Sequence, residues 1–229
     1  MDRRLVAPLV AEALGTFLFV FVGVGSIVLY GAIDASADLV AIALAHGITL
    51  AVVVTAFGAI SGGHVNPAVT VGLWIAGAID ATRAAAYVAA QLVGAAAAGF
   101  LIAGLYPRAA WEPVGLGAPS LAGGLDPLAG LVLEVVLTML LVAAVFLTAV
   151  DRRAPALGGL LIGLSIVGCI LVAGPLTGAA MNPARWFGPA LAAGNLANAW
   201  VWIAGPLAGA AIVALLYRFV LREGALTTP

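Results

Sequence analysis

Apolar residues in this chain gather into six long runs, at about 6–31, 39–60, 83–105, 128–150, 156–174 and 198–220, separated by short polar or Gly- and Pro-rich breaks. Each run reaches the roughly 20 residues that a helix needs to cross a bilayer, so six spanning helices are predicted. Two further apolar stretches, about 66–76 and 182–192, have only about half that length. One lies between the second and third runs and the other between the fifth and sixth. The pattern is therefore three long elements and one short, twice over. An odd number of crossings per half gives the halves opposite orientations in the membrane, an inverted repeat.

The two short stretches open alike. Ser61-Gly62-Gly63-His64-Val65-Asn66-Pro67-Ala68-Val69-Thr70 is echoed by Thr177-Gly178-Ala179-Ala180-Met181-Asn182-Pro183-Ala184-Arg185-Trp186, with the two Asn 116 residues apart. Each copy reaches a Gly six residues after its Asn, Gly72 and Gly188. Asn is a good helix N-cap and Pro is favoured at the first helical position, so each copy reads as a loop feeding a half-helix. Irregular backbone at the membrane midplane is tolerated only where it is buried in protein or lines a water-filled cavity. Paired half-helices therefore predict a pore. Asn66 and Asn182 would then bring two positive helix ends and two donating side-chain amides to its centre. Capping alone is the simpler role for an Asn, and the duplication favours the pore. Arg185 lies one turn beyond Asn182, and an intramembrane Arg with no acidic residue nearby in sequence reads as functional.

The repeat extends into the spans. Glu12 and Glu134 hold corresponding places in spans one and four, and Ala90-Gln91-Leu92-Val93-Gly94-Ala95 echoes Gly205-Pro206-Leu207-Ala208-Gly209-Ala210. Arginine placement predicts topology: Arg3, Arg4, Arg83, Arg152, Arg153, Arg218 and Arg222 fall on one side of six crossings, and Arg108 falls on the other with Asp34, Asp38, Glu112 and Asp126. Both termini are expected to be cytosolic. The longest connection, about 106–127, is expected to be an outer linker inside one domain spanning 1–229. That linker joins a first half at about 1–105 to a second at about 128–229.

Composition agrees. With 64% hydrophobic residues, 8% charged residues and a mean hydropathy of +1.21, the chain reads as an integral membrane protein in contact with lipid. A net charge of −1 without basic tracts argues against nucleic-acid binding. The single cysteine, Cys169, rules out an internal disulfide, and it is expected to face the bundle. No nucleophile–base pair or metal-ligand cluster stands out, so neither an enzyme nor a cofactor is expected. The first run continues as a span with no cleavage site, so no signal peptide is expected. The Ala- and Arg-rich composition suggests a bacterial inner membrane.

Duplicated Asn66-Pro67-Ala68 and Asn182-Pro183-Ala184, with Arg185 directly after the second, resemble the aquaporin (major intrinsic protein) family over essentially the whole chain. The resemblance implies an all-α membrane fold. It would be a right-handed bundle of six transmembrane helices and two re-entrant half-helices, assembled as a homotetramer with one pore per subunit. It implies a selectivity filter of His46, Ile170, Ala179 and Arg185, a set similar to that of plant tonoplast aquaporins rather than strict water channels. Those plant proteins can add a histidine from the outer connection, where this chain has Pro119. His64 resembles the family's cytosolic-side pore histidine, although stabilising its loop suits it equally. Glu12 and Glu134, helped by Gln91, are expected to accept hydrogen bonds from backbone N–H groups of the re-entrant loops. A proton relay is the rival role for these carboxylates.

The glycerol-facilitator pattern has Asp after the filter Arg, and here Trp186 and Phe187 follow instead. Trp202-Ile203 departs from the aromatic-Trp pair of water channels, which keeps glycerol open, and Trp200 and Trp202 also suit interfacial anchoring. The expected function is a passive channel carrying single-file water, excluding protons and ions, with ammonia as a further permeant. Rivals are a channel for glycerol, urea or ammonia, and a proton-coupled secondary transporter built on Glu12 and Glu134.

Overall fold

The structure is a computed structural model that describes residues 3–32, 38–151, 153–154 and 156–222, without the side chains of 3, 4 and 32. Asp34, Arg152 and the side chains of Arg3 and Arg4 therefore lie outside the described residues. The six expected spans are α1 (Arg3–Ala32), α2 (Leu39–Ser61), α4 (Ala81–Leu105), α6 (Pro127–Val145), α7 (Gly158–Thr177) and α9 (Ala199–Leu216). Helices α6 and α9 each end in one π-helical turn, Phe146–Val150 and Tyr217–Leu221. All six are long and apolar enough to cross a membrane. The half-helices are α3 (Pro67–Ile75) and α8 (Pro183–Ala193), within a residue or two of expectation. No strand occurs among the described residues.

Lipid supplies no hydrophobic force between helices, so close packing of backbones must hold such a bundle. Small residues allow it here. A Cβ on Gly47 would meet the Gly163 carbonyl of α7 at 2.7 Å. One on Gly94 would collide with the Ala13 carbonyl of α1, and one on Gly209 with the Val135 carbonyl of α6. Gly99 and Gly188 seat α4 against α8 in the same way. The pairs α1·α4 and α6·α9 are equivalent across the repeat, and each buries its own glutamate, Glu12 or Glu134, completely.

One arginine-bearing end of the bundle is closed by polar contacts. Arg218 Nη1 donates to the Ile75 carbonyl at the end of α3 (2.8 Å), where a cation also meets the negative helix end. Arg153 grips Asp151 through two nitrogens, at 2.9 and 2.6 Å. This pairing holds the Asp151 carboxyl down to about 2. At the opposite end, Arg108 pairs with Glu112.

The segment at 106–127 is more than a linker. It forms the short helix α5 (Arg108–Trp111) and a 3-10 turn at Gly115–Gly117, and Leu116 is fully buried with φ 54°. The turn folds into the mouth of the bundle because Trp111, Val114 and Leu116 pack on its core.

Candidate functional site

Each half-helix starts as its sequence dictates. The Asn66 side-chain oxygen accepts from Ala68 N (2.8 Å), and that of Asn182 accepts from Ala184 N (3.0 Å) and Arg185 N (3.3 Å), with Pro at the first helical position in both. The amide nitrogens cross over. Asn66 Nδ2 donates to the Met181 carbonyl and Asn182 Nδ2 to the Val65 carbonyl, both at 2.9 Å. Each loop is thereby tied to the other half of the chain, and each amide keeps a second proton. Two positive helix ends meet at this crossing.

The loops before the two Asn share one backbone pattern. Gly62, Gly63 and Val65 have φ of 94°, 60° and 43°, and Gly178, Ala179 and Met181 have φ of 79°, 42° and 51°. A left-handed β-branched residue such as Val65 is strained and persists only where its surroundings fix it. The two buried glutamates do so. Glu12 accepts from Ser61 Oγ (2.6 Å), His64 N (2.9 Å), Val65 N (2.7 Å) and Gln91 Nε2 (2.7 Å). Glu134 accepts from Thr177 Oγ1 (2.8 Å), Ala180 N (2.9 Å) and Met181 N (2.8 Å). Both carboxylates are thus occupied by loop donors, the arrangement expected of a scaffold. Gln91 extends the first network to Thr70 Oγ1 (2.9 Å), which also meets His64 Nδ1 (3.2 Å).

On one side of the crossing lies a cavity of about 840 Å³ whose lining includes His64, Asn66 and Asn182. On the other lies a cavity of about 310 Å³ lined by His46, Ile170 and Arg185 together with Gly117 and Pro119. Three of the four expected filter residues therefore share one cavity. The fourth, Ala179, is buried beside Gly178, which lines that cavity. Arg185, 2% exposed, donates through Nη1 to the Gly117 carbonyl (3.1 Å) and lies 3.4 Å through Nη2 from His46 Nε2. His46 Nδ1 is 2.9 Å from the Ile42 carbonyl. A carbonyl only accepts and a guanidinium only donates, so these contacts assign His46 the neutral Nδ1–H form, with Nε2 accepting from Arg185.

Sequence reasoning did not find three contributors. Gly117 lies in the supposed linker. Tyr87 Oη donates to the Ser61 carbonyl (2.9 Å), and Trp202 Nε1 donates to the equivalent Thr177 carbonyl (3.0 Å). Trp202 is only 2% exposed, which rules out interfacial anchoring, whereas Trp200 is 43% exposed and suits it. The echo of Tyr87 in Trp202, 21 and 20 residues after the respective Asn, was the available signal. Cys169 faces the bundle as expected, buried with Sγ 3.6 Å from the Leu137 carbonyl.

Comparison with known proteins gives one answer. The sequence profile described as "Major intrinsic protein" matches residues 3–217. Aquaporin TIP4-4 of Zea mays is 45% identical over 94% of this chain and 87% of its own length. Aquaporin TIP2-1 of Arabidopsis thaliana is 45% identical over 90% of this chain and 84% of its own. The solved structure titled "X-ray structure of the aquaglyceroporin from Plasmodium falciparum" superposes with a TM-score of 0.84 at 24% identity. It covers 95% of this chain and 97% of that one, a likeness of fold. The expected bacterial inner membrane gains no support, because these sequence relatives are plant proteins. Overall composition could not carry that distinction, since the bilayer core selects apolar residues in any organism.

Proposed function

Because the chain belongs to the major intrinsic protein family, whose aquaporins are channels and not enzymes, we propose that it conducts water passively, in single file, along the axis joining the two cavities. One observation carries this reading above the rest: the crosswise bonds from Asn66 to Met181 and from Asn182 to Val65, set between those cavities. The remaining amide proton of each Asn is free to donate to the oxygen of a passing water. Opposed positive helix ends, with the Arg185 guanidinium beyond them, disfavour protons and other cations while neutral molecules pass.

The filter consists of His46, Ile170, Ala179 and Arg185. Ile170 and Ala179 present no hydrogen-bonding side chain across from Arg185, so ammonia is a second permeant. His64 serves the inner cavity, and Glu12, Glu134 and Gln91 support the loops. The two halves act as one domain, four chains assemble with one pore each, and the end carrying Arg83, Arg153 and Arg218 faces the cytosol with both termini. The transporter alternative has no support from the relatives, which are named aquaporins.

Stopped-flow light scattering on proteoliposomes tests the reading, with water, ammonia and glycerol measured in one preparation. Fast osmotic shrinkage with glycerol entry at the empty-liposome rate is expected. Glycerol entry well above background with little gain in water flow would overturn it in favour of a solute channel.

A further inference from the structure

The two half-helices lean to opposite sides. Helix α3 packs chiefly on α9, and α8 packs chiefly on α4. Each leaves a gap on its other flank. The gap between α3 and α4 is an apolar cavity of about 470 Å³, walled by Val71 and Trp74 on one side and by Ala81, Ala85 and Ala89 on the other. A second apolar cavity, of about 380 Å³, reaches past Pro67 and Pro183 to Phe187 of α8 and Ile203 of α9. Val71, Val88 and Leu92 line both, so the two form one diagonal groove. It opens outward from the bundle, with Trp74 46% and Ile203 41% exposed.

The ends of this groove differ. Arginines flank the Ala81 end: Arg83 is exposed in the first turn of α4, and Arg218 donates to the Ile75 carbonyl beside Trp74. Asp80, the acid at this end, is engaged as the cap of α4, accepting from Arg83 N (2.9 Å). The far end stops where the half-helices meet, and no charged side chain lines either cavity. From Ala81 to Leu92 the groove follows α4 for about 16 Å at 1.5 Å per residue. One leaflet contributes about 15 Å of the hydrocarbon core.

We propose that the groove holds one acyl chain of an anionic phospholipid, with the lipid phosphate at Arg83 and Arg218. The depth matches one leaflet, the arginines supply donors for the phosphate, and Trp74 sits where an indole favours the boundary between headgroups and chains. A second copy of the chain is a poorer occupant, because in the same membrane orientation it would bring its own arginines against these. The tip of the acyl chain lies against Pro67, Pro183 and Trp186, which directly follow Asn66, Asn182 and Arg185, and so backs the pore crossing from the lipid side.

Native mass spectrometry of the detergent-purified protein tests this by counting lipid retained from added phosphatidylglycerol or phosphatidylcholine with identical acyl chains. Ala89→Phe fills the groove and Arg83→Gln removes one charge. Val93→Phe is the control, since Val93 is 66% exposed on the same helix and lines neither cavity. Wild type should prefer phosphatidylglycerol by about fivefold per arginine. A89F should lose both lipids, R83Q should lose about fivefold for phosphatidylglycerol alone, and V93F should match wild type. Equal retention of the two lipids by wild type would overturn the proposal, as would wild-type retention by A89F or R83Q. An A89F protein that sheds chains from its assembly while keeping its lipid would assign the groove to a second copy and overturn it too. If A89F does not fold, Ala85→Phe decides in its place: loss of both lipids supports the proposal and retention overturns it. Water flux is not read, so the channel reading stands or falls separately.

Discussion

Replacing Glu134 with Gln tests whether the buried carboxylate is a scaffold. The carboxylate has no exposed surface and receives three donors, from Thr177 Oγ1, Ala180 N and Met181 N. An amide keeps only one accepting oxygen. Placed at the Oε1 position, that oxygen retains Thr177 and Ala180, but both bonds fall from charge-assisted to neutral strength, costing about 1 kcal/mol each. The new NH₂ then faces the Met181 N–H, and a buried donor without an acceptor costs about 1–3 kcal/mol. The sum is about 4 kcal/mol, concentrated on the loop that carries Met181 in its left-handed conformation and supplies the acceptor for Asn66. For a chain of this size that corresponds to a fall in Tm of roughly 8–16 °C. Thermal unfolding in detergent and osmotic shrinkage of proteoliposomes should show both losses together. Glu134→Asp keeps the charge and should lie between wild type and Gln. An E134Q protein with wild-type Tm and wild-type water flux would refute the scaffold role.

Three further outcomes follow from close approaches and charge. A Cβ at Gly23 would lie 2.5 Å from His46 Cδ2 and 2.6 Å from Nε2, so Gly23→Ala should push the imidazole out of contact with Arg185. The expected result is a changed water permeability with a small Tm change, and unchanged permeability would refute it. Gly188→Ala drives a methyl into the Ala95 carbonyl where α8 meets α4, and overpacking of this kind costs about 1–3 kcal/mol, read as a lower Tm. The Asp151 carboxyl is held to about 2 by its hydrogen bonds with Arg153. A depressed folded value means that the pair stabilises above the ordinary carboxylate range and loses its effect as pH falls from about 4 toward 2. The Tm difference between wild type and Asp151→Asn should therefore be flat from pH 5 to 8 and shrink below pH 4; a difference that varies between pH 6 and 8 would contradict this.

The spans, the half-helices and their Asn-Pro starts were legible in the chain itself. Each rests on local rules: about 20 apolar residues cross a bilayer, Asn caps a helix and Pro begins one. The internal repeat extended that reach by pairing Glu12 with Glu134 before any contact was known. Other features depended on packing. The bond from Asn66 to Met181 joins residues 115 apart, and that from Arg185 to Gly117 joins residues 68 apart. No periodicity in sequence marks such partners. Gly117 belongs to a Pro- and Gly-rich segment that reads as a loose connection, and only its packing brings its carbonyl to the guanidinium. The left-handed backbone at Val65 and Met181 runs against what those residues prefer alone, and the buried glutamates hold it in place. Sequence by itself thus determined which elements cross the membrane and where two of them stop halfway. Tertiary structure alone decided how the two loops bind each other and which side chains hold the filter, because those bonds exist only once both halves have folded around one axis.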